Sequence, residues 1–209
     1  MRVLKSGDVS RVSQSSTKPA KPEQPVIAFA TPAAMRRWLR ANHATHPGIW
    51  LKIAKKDSGH ASVTYAQALD EALCLGWIDG QKQAHDEKWF LQKFTRRGPR
   101  SVWSKINQGH VARLTRAGRM QPAGRAAVAA AQADGRWAQA YDSPGAAQLP
   151  ADFLAAVAAE PAAAAFLATL NQANRFSFYY RLTSAKKPET RVRRFALLLA
   201  MLRRGEKFH

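Results

Sequence analysis

ALCLGWIDGQKQ, residues 72–83, changes its periodicity midway, and that change decides the fold class. Up to Leu75 the stretch continues a helix in which Tyr65, Leu69, Ala72 and Leu73 share one face, while Asp70 and Glu71 turn outward. Gly76 supplies the residue past the helix end, where a left-handed backbone is needed. From Trp77 the run through Ala84 reads as a strand or hairpin, and Trp89 to Thr95 reads as a further strand. Helix and strand thus alternate within one short segment, which argues for a mixed unit. Asp79-Gly80, inside the strand-like run, has two readings. It is a hairpin corner, because both residues tolerate positive φ. Or Asp79 is a carboxylate held beside Trp77, facing a basic cleft as an orienting group or general base.

Working outward, Thr31 caps a helix over 32–43, with Pro32 at its first position and Met35, Trp38 and Leu39 at helical spacing. Ile49, Leu51 and Ile53 alternate as a strand does. A helix from about Val102, capped by Ser101, should bury Ile106, Val111 and Leu114 and stop near Gly118. Beyond Gln121 no strand pattern recurs. Pro122, Pro150 and Pro161 open helices, Asn174 to Ala185 continues as one, and Pro188 to Arg204 carries an apolar stripe of Val192, Phe195, Leu199 and Leu202. The expected fold is α+β: a small N-terminal mixed sheet with helices, followed by an all-helical C-terminal part. The expected division is a disordered basic tail over 1–27, an α+β domain over 28–120, and a helical domain over 121–209 packed on it.

The 209 residues carry 33 Lys and Arg against 14 Asp and Glu, a formal net charge of +19. Such an excess concentrates anions at the surface, whether nucleic acid, acidic head groups or phosphorylated small molecules. The excess is uneven. Lys88 to Arg125 and Arg175 to Lys207 each contain ten basic residues, against no acids in the first stretch and two in the second. The one cysteine, Cys74, cannot make an internal disulfide, and its apolar neighbours Leu73 and Leu75 suit a buried, inert thiol. The sequence shows no secretory signal, and its richest apolar run, Phe195 to Leu202, is too short for a span of about twenty residues. These features predict a cytoplasmic protein.

The sharpest local basic feature is Arg96-Arg97-Gly98-Pro99-Arg100-Ser101, followed by Trp103, Ser104 and Asn107. Arginines feeding a helix start favour an anion, through guanidinium forks and free N–H groups. Phosphate loops, dinucleotide fingerprints and nucleophile elbows are missing from the sequence. His43 and His46 have metal-like spacing without companion ligands, so neither a metal site nor a cofactor is expected.

Four motifs fall in order along the chain: LDEALCLGWIDG (69–80), RRGPRSVWSKIN (96–107), GRMQPAG (118–124) and AKKPETRVRR (185–194). Together they resemble the YdeI/OmpD-associated, or bacteriocin-protection, family from about residue 29 to the C-terminus. The chain departs from the family in placing Thr95, rather than proline, before the arginine pair. The resemblance implies a bacterial protein linked to protection against bacteriocins and cationic antimicrobial peptides, a stress response. It supplies no established reaction or catalytic residue. The family's recurring positions fall on Trp77, Asp79, Arg97, Ser101, Trp103, Ser104, Asn107 and Arg191.

Three functions follow from these readings. The first is indirect protection by binding an anionic ligand or partner, with Arg97, Arg100, Lys105, Lys187, Arg191 and Arg194 supplying charge and Trp77 and Trp103 as apolar walls. Direct capture of a cationic peptide is opposed by like charge. The second is nucleic-acid binding through the basic surface, although no recognition motif is present. The third is an enzyme acting on an anionic metabolite with Asp79 as base; the balance leans against an enzyme.

Overall fold

The computed structural model describes residues 24–209. The expected tail over 1–27 therefore lies outside the described residues up to residue 23. Four strands, β1 (Val26–Ala28), β2 (Ile49–Ala54), β3 (Trp77–Ala84) and β4 (Trp89–Arg96), form one mixed sheet in the order β1-β2-β4-β3. β1 runs parallel to β2, and the other two pairings are antiparallel. β1 precedes Phe29, where the sequence first promises order; three edge residues are too few to display a period of two.

Helices α1 (Pro32–Asn42) and α2 (Tyr65–Cys74) accompany the sheet. Thr31 caps α1, and Thr64 with Gln67 forms a reciprocal capping box on α2. Ile49, Leu51 and Ile53 are buried on the sheet's inner face, together with Phe94. Trp77 is fully buried there too; its indole donates to the His43 carbonyl (3.0 Å) and meets Trp38 edge-on at 6.0 Å. Trp77 is thus a core residue, not a wall of a ligand site.

Helices α3 (Lys105–Arg116) and α4 (Pro122–Ala133) extend this first apolar cluster, which runs on to Trp137 and Ala140. A second cluster is built from α5 (Ala151–Ala158), α6 (Pro161–Thr169), α7 (Gln172–Thr183) and α8 (Pro188–Arg203), with Phe153, Phe178, Leu198 and Leu202 inside. The chain is α+β at its N-terminal side and helical at its C-terminal side, as its periodicity predicts. Among the described residues no single helix is long and apolar enough to cross a membrane.

Several local expectations are corrected. Asp79-Gly80 is not a hairpin corner. The β3–β4 turn lies at His85–Lys88, where the Asp86 carboxylate accepts from the Lys88 and Trp89 amides (2.8 Å each). Asp79-Gly80 instead opens a bulge in β3, and the buried Gln92 amide donates to the carbonyls of Gly80 and Gln81. Ser104, not Ser101, caps α3, accepting from the Asn107 amide at 3.1 Å. Ile106, expected inside, is 48% exposed, while Val111 and Leu114 are buried. Glu71 is not an outward residue: it is only 2% exposed, because two arginines compensate its charge. Of the expected α8 stripe, Leu199 and Leu202 are buried and Phe195 packs on them, but Val192 is 67% exposed and Leu198 is buried as well.

Two of the motifs interlock. Gly76, at φ +73°, and Gly124 are where the end of α2 meets the start of α4. A Cβ on Gly124 would lie 2.3 Å from the Cys74 carbonyl oxygen, so only glycine permits the approach. The Gln121 amide donates to that same carbonyl at 3.0 Å. Arg119 reaches back to Glu71 (2.8 Å) and Asp70 (3.5 Å). Cys74 is sealed beneath this contact, and burial pushes its thiol up to about 11, so it is not a nucleophile at neutral pH.

Candidate anion-binding hollow

A hollow of about 570 Å³ lies where the two apolar clusters meet. Three stretches far apart in sequence supply its walls: the start of α3, the loop after α4, and the end of α7 with the residues that follow it. Lys105, Arg136 and Lys186 line it, together with Asp134 and three tyrosines, Tyr141, Tyr179 and Tyr180. Its size falls within the range of small-molecule sites.

The loop that carries Arg136 and Tyr141 is fixed from both sides. Gly135, at φ +79°, turns the chain after α4. Arg136 clasps Asp134 through Nε (2.8 Å) and Nη2 (2.7 Å), and its Nη1 donates to the Ser101 carbonyl at 2.9 Å. Ser104 and Tyr141 form an isolated parallel bridge: the Tyr141 amide donates to the Trp103 carbonyl and the Lys105 amide to the Tyr141 carbonyl. Tyr141 then meets Tyr180 edge-on at 5.2 Å across the seam.

Asp142 closes the seam. It pairs with the Lys105 ammonium at 2.6 Å and accepts from the Tyr179 hydroxyl at 2.7 Å, while its own amide donates to that hydroxyl at 3.1 Å. The Lys105 hydrogen bond and then the Tyr179 one hold the Asp142 carboxyl below the usual carboxylate range. The same contact raises Lys105. Asp134 is likewise lowered, first by its hydrogen bond to Arg136. Both carboxylates therefore stay ionised at neutral pH. Three cations against these two carboxylates leave the hollow with a positive excess, centred on Lys186.

Arg97 and Trp103, outside the lining of the hollow, form a buried donor cluster. The Arg97 guanidinium stacks on the Trp103 ring at 3.4 Å and donates through Nη1 to the Val102 carbonyl at 2.9 Å. Its Nε and Nη2, and Nε1 of the buried Trp103, have no hydrogen-bond partner among the described residues. Burial pushes the guanidinium down to about 10, offset in part by Asp79 and Tyr141. Asp79 accepts from the Tyr65 hydroxyl at 2.8 Å and presents its charge towards Arg97. Burial, then the Asp79 charge, raises the Tyr65 phenol well above its ordinary value. Buried donors without a partner are rare, and here three lie together beside the ring stack of Arg97 on Trp103.

The residues singled out in the sequence divide into two sets. Lys105 lines the hollow, and Arg97, Trp103, Ser104 and Asp79 lie outside its lining. Ser101 contributes carbonyl and hydroxyl bonds to Arg136 and to the Gly98 amide. Asn107 is buried in the first turn of α3. Arg191 turns away to pair with Asp152 at 2.6 Å, and Arg194 donates to the Arg181 carbonyl and the Ser184 hydroxyl. Arg100 and Lys187 are exposed outside the lining. The sequence reading passed over Arg136, Tyr141, Tyr179, Tyr180 and Lys186. Lys186 lies within the AKKPETRVRR motif, one residue from the lysine chosen. The Tyr179-Tyr180 pair was visible as aromatic content in a helix, whereas nothing local marks Arg136.

Two family models match the chain. One, a domain of unknown function (DUF8412), covers residues 27–127. The other, described as Bacteriocin-protection, YdeI or OmpD-Associated, covers residues 146–205. The hollow lies at their junction, with Lys105 from the first and Tyr179, Tyr180 and Lys186 from the second. Searches of curated proteins and of solved structures gave no match.

Proposed function

The chain belongs, through residues 146–205, to the bacteriocin-protection, YdeI or OmpD-associated family, and on that premise we propose that it protects by binding an anionic ligand in the hollow between its two halves. Lys105, Arg136 and Lys186 draw in a phosphate or carboxylate group, and the tyrosines wall its apolar body. The observation that carries this reading is the convergence of three cations from distant stretches on one tyrosine-walled cavity. Direct capture of a cationic peptide is disfavoured by the net charge of +19, so protection acts through the bound anion. Asp79 balances the buried Arg97 charge and does not serve as a base. The single sealed thiol suits a reducing, cytoplasmic setting.

A thermal-shift series with pyrophosphate, citrate and ATP at low and high salt tests the reading. A ligand that binds only the native state raises the melting temperature. At least one probe should raise it with little salt dependence, and the Lys105→Ala/Lys186→Ala double variant should remove the shift. A series without any shift, or a shift that survives the double variant, overturns the proposal.

A further inference from the structure

The outer face of the sheet is independent of the hollow. Cross-strand register places Trp50 opposite Lys93, Lys52 opposite Leu91, and Ala54 opposite Trp89 on one side. Val26, Ala28 and Gln83 join that side from the flanking strands. Trp50, Trp89 and Leu91 belong to neither apolar cluster, so the helices do not cover them. The two indoles are half-buried, and each carries a cation over its ring: Lys93 lies 5.4 Å from the Trp50 centroid and Lys52 lies 4.9 Å from that of Trp89. His60 stacks on Trp89 at 5.1 Å. The face itself carries no carboxylate; Asp86, in the turn at its end, approaches Lys52 only at 3.9 Å. Lys55, Lys56 and Lys88 are exposed in the loops at its end, together with Asp57 and Glu87, whereas Lys82 lies on the other face over Phe90.

We infer that this face binds single-stranded nucleic acid, with bases stacked on Trp50 and Trp89 and phosphates held by Lys52 and Lys93. Planar aromatic platforms interleaved with lysine suit unpaired bases on a polyanionic backbone. The two indoles stand about 14 Å apart, from four residues along the strands and one strand across, so separate bases can reach them. An exposed lysine over an indole is a weaker contact than a stacked base. A base therefore displaces the ammonium, which swings to the adjacent phosphate. The sequence before residue 24, with Arg2, Lys5, Arg11, Lys18 and Lys21 against Asp8 and Glu23, has the same sign of charge as the face. An anionic bilayer fits less well, because Leu91 is buried and the indoles are half-buried, which leaves Val26 as the one well-exposed large apolar side chain on this face.

The test is fluorescence anisotropy on the full chain with labelled dT20, a duplex of equal length, and vesicles containing phosphatidylserine as competitor. The single strand should bind more tightly than the duplex at physiological salt. Trp50→Ala and Trp89→Ala should each weaken single-strand binding about tenfold, and the double variant should erase the preference over duplex. Lys52→Ala/Lys93→Ala should reduce the slope of log affinity against log salt by about 1.4, or roughly 0.7 per phosphate contact. Melting curves establish that each variant folds. If a tryptophan variant does not, the lysine pair decides, since both side chains are partly exposed. Equal binding of duplex, unchanged affinity and slope in the variants, or stronger competition by vesicles than by unlabelled dT20 overturns the inference.

Discussion

Glu71→Gln removes one negative charge from the most enclosed ionic network in the protein. Glu71 is 2% exposed and accepts three charge-assisted hydrogen bonds: Arg36 Nη2 at 2.6 Å, Arg36 Nε at 2.8 Å and Arg119 Nη2 at 2.8 Å. Glutamine keeps the shape, but it turns one acceptor into an NH₂ that faces a guanidinium. Breaking a buried pair costs about 3–5 kcal/mol. Here the two guanidinia retain 42% and 36% exposure and can turn to water, which screens the loss. The lower end, about 3 kcal/mol, is the expected cost. At about 2–4 °C per kcal/mol for a chain of this size, the melting temperature should fall by roughly 6–12 °C. Circular dichroism melts at neutral pH, paired with urea titrations, measure it. A fall below about 2 °C would mean that the network contributes no more than a surface ion pair, and the packing argument for α2 against α1 and α4 would be wrong.

Further outcomes test the remaining contacts. Gly124→Ala, whose Cβ would overlap the Cys74 carbonyl, should cost about 1–3 kcal/mol or more, whereas Gly109→Ala in open space on α3 should stabilise by about 0.5–1 kcal/mol; chemical denaturation distinguishes them. Asp79→Asn should destabilise by leaving the Arg97 charge uncompensated, and adding Arg97→Met should cancel that loss; a double-mutant cycle without coupling refutes the pairing. Because the Asp142 carboxyl is lowered in the folded state, its contribution is present above the ordinary carboxylate value of 3.8 and disappears as pH falls through its folded value. The protection factor of the Asp142 amide, its exchange relative to the intrinsic rate at the same pH, should therefore fall on acidification below about pH 4. In Tyr179→Phe, which loses the acceptor of that amide, exchange should already be fast at neutral pH.

The period changes, capping residues and prolines made most elements legible. The helix ending at Gly76, the Thr31 and Thr64 starts, and the proline-opened C-terminal helices all follow from local chemistry. The failures share one cause, that side-chain partners lie far away in sequence. Glu71 read as outward because its compensating arginines are 35 and 48 residues distant. Ser101 read as the cap because nothing nearby reveals that Trp103 lies beneath Arg97 and delays the helix to Ser104. Basic stretches signalled an anion site, but charge density alone could not say which cations converge. Lys105, paired there with Asp142, and Lys186 line the hollow, while Arg191 pairs with Asp152 outside it. Arg136 was invisible because its position follows from the turn at Gly135 and its clasp on Asp134.

Anomalous diffraction from crystals soaked in tungstate tests the central claim most directly. A tetrahedral oxyanion should occupy the hollow, bounded by Lys105, Arg136 and Lys186, at a concentration that leaves exposed lysines elsewhere bare. Tungstate scattered over surface lysines, with the space among those three side chains filled only by solvent, would contradict it.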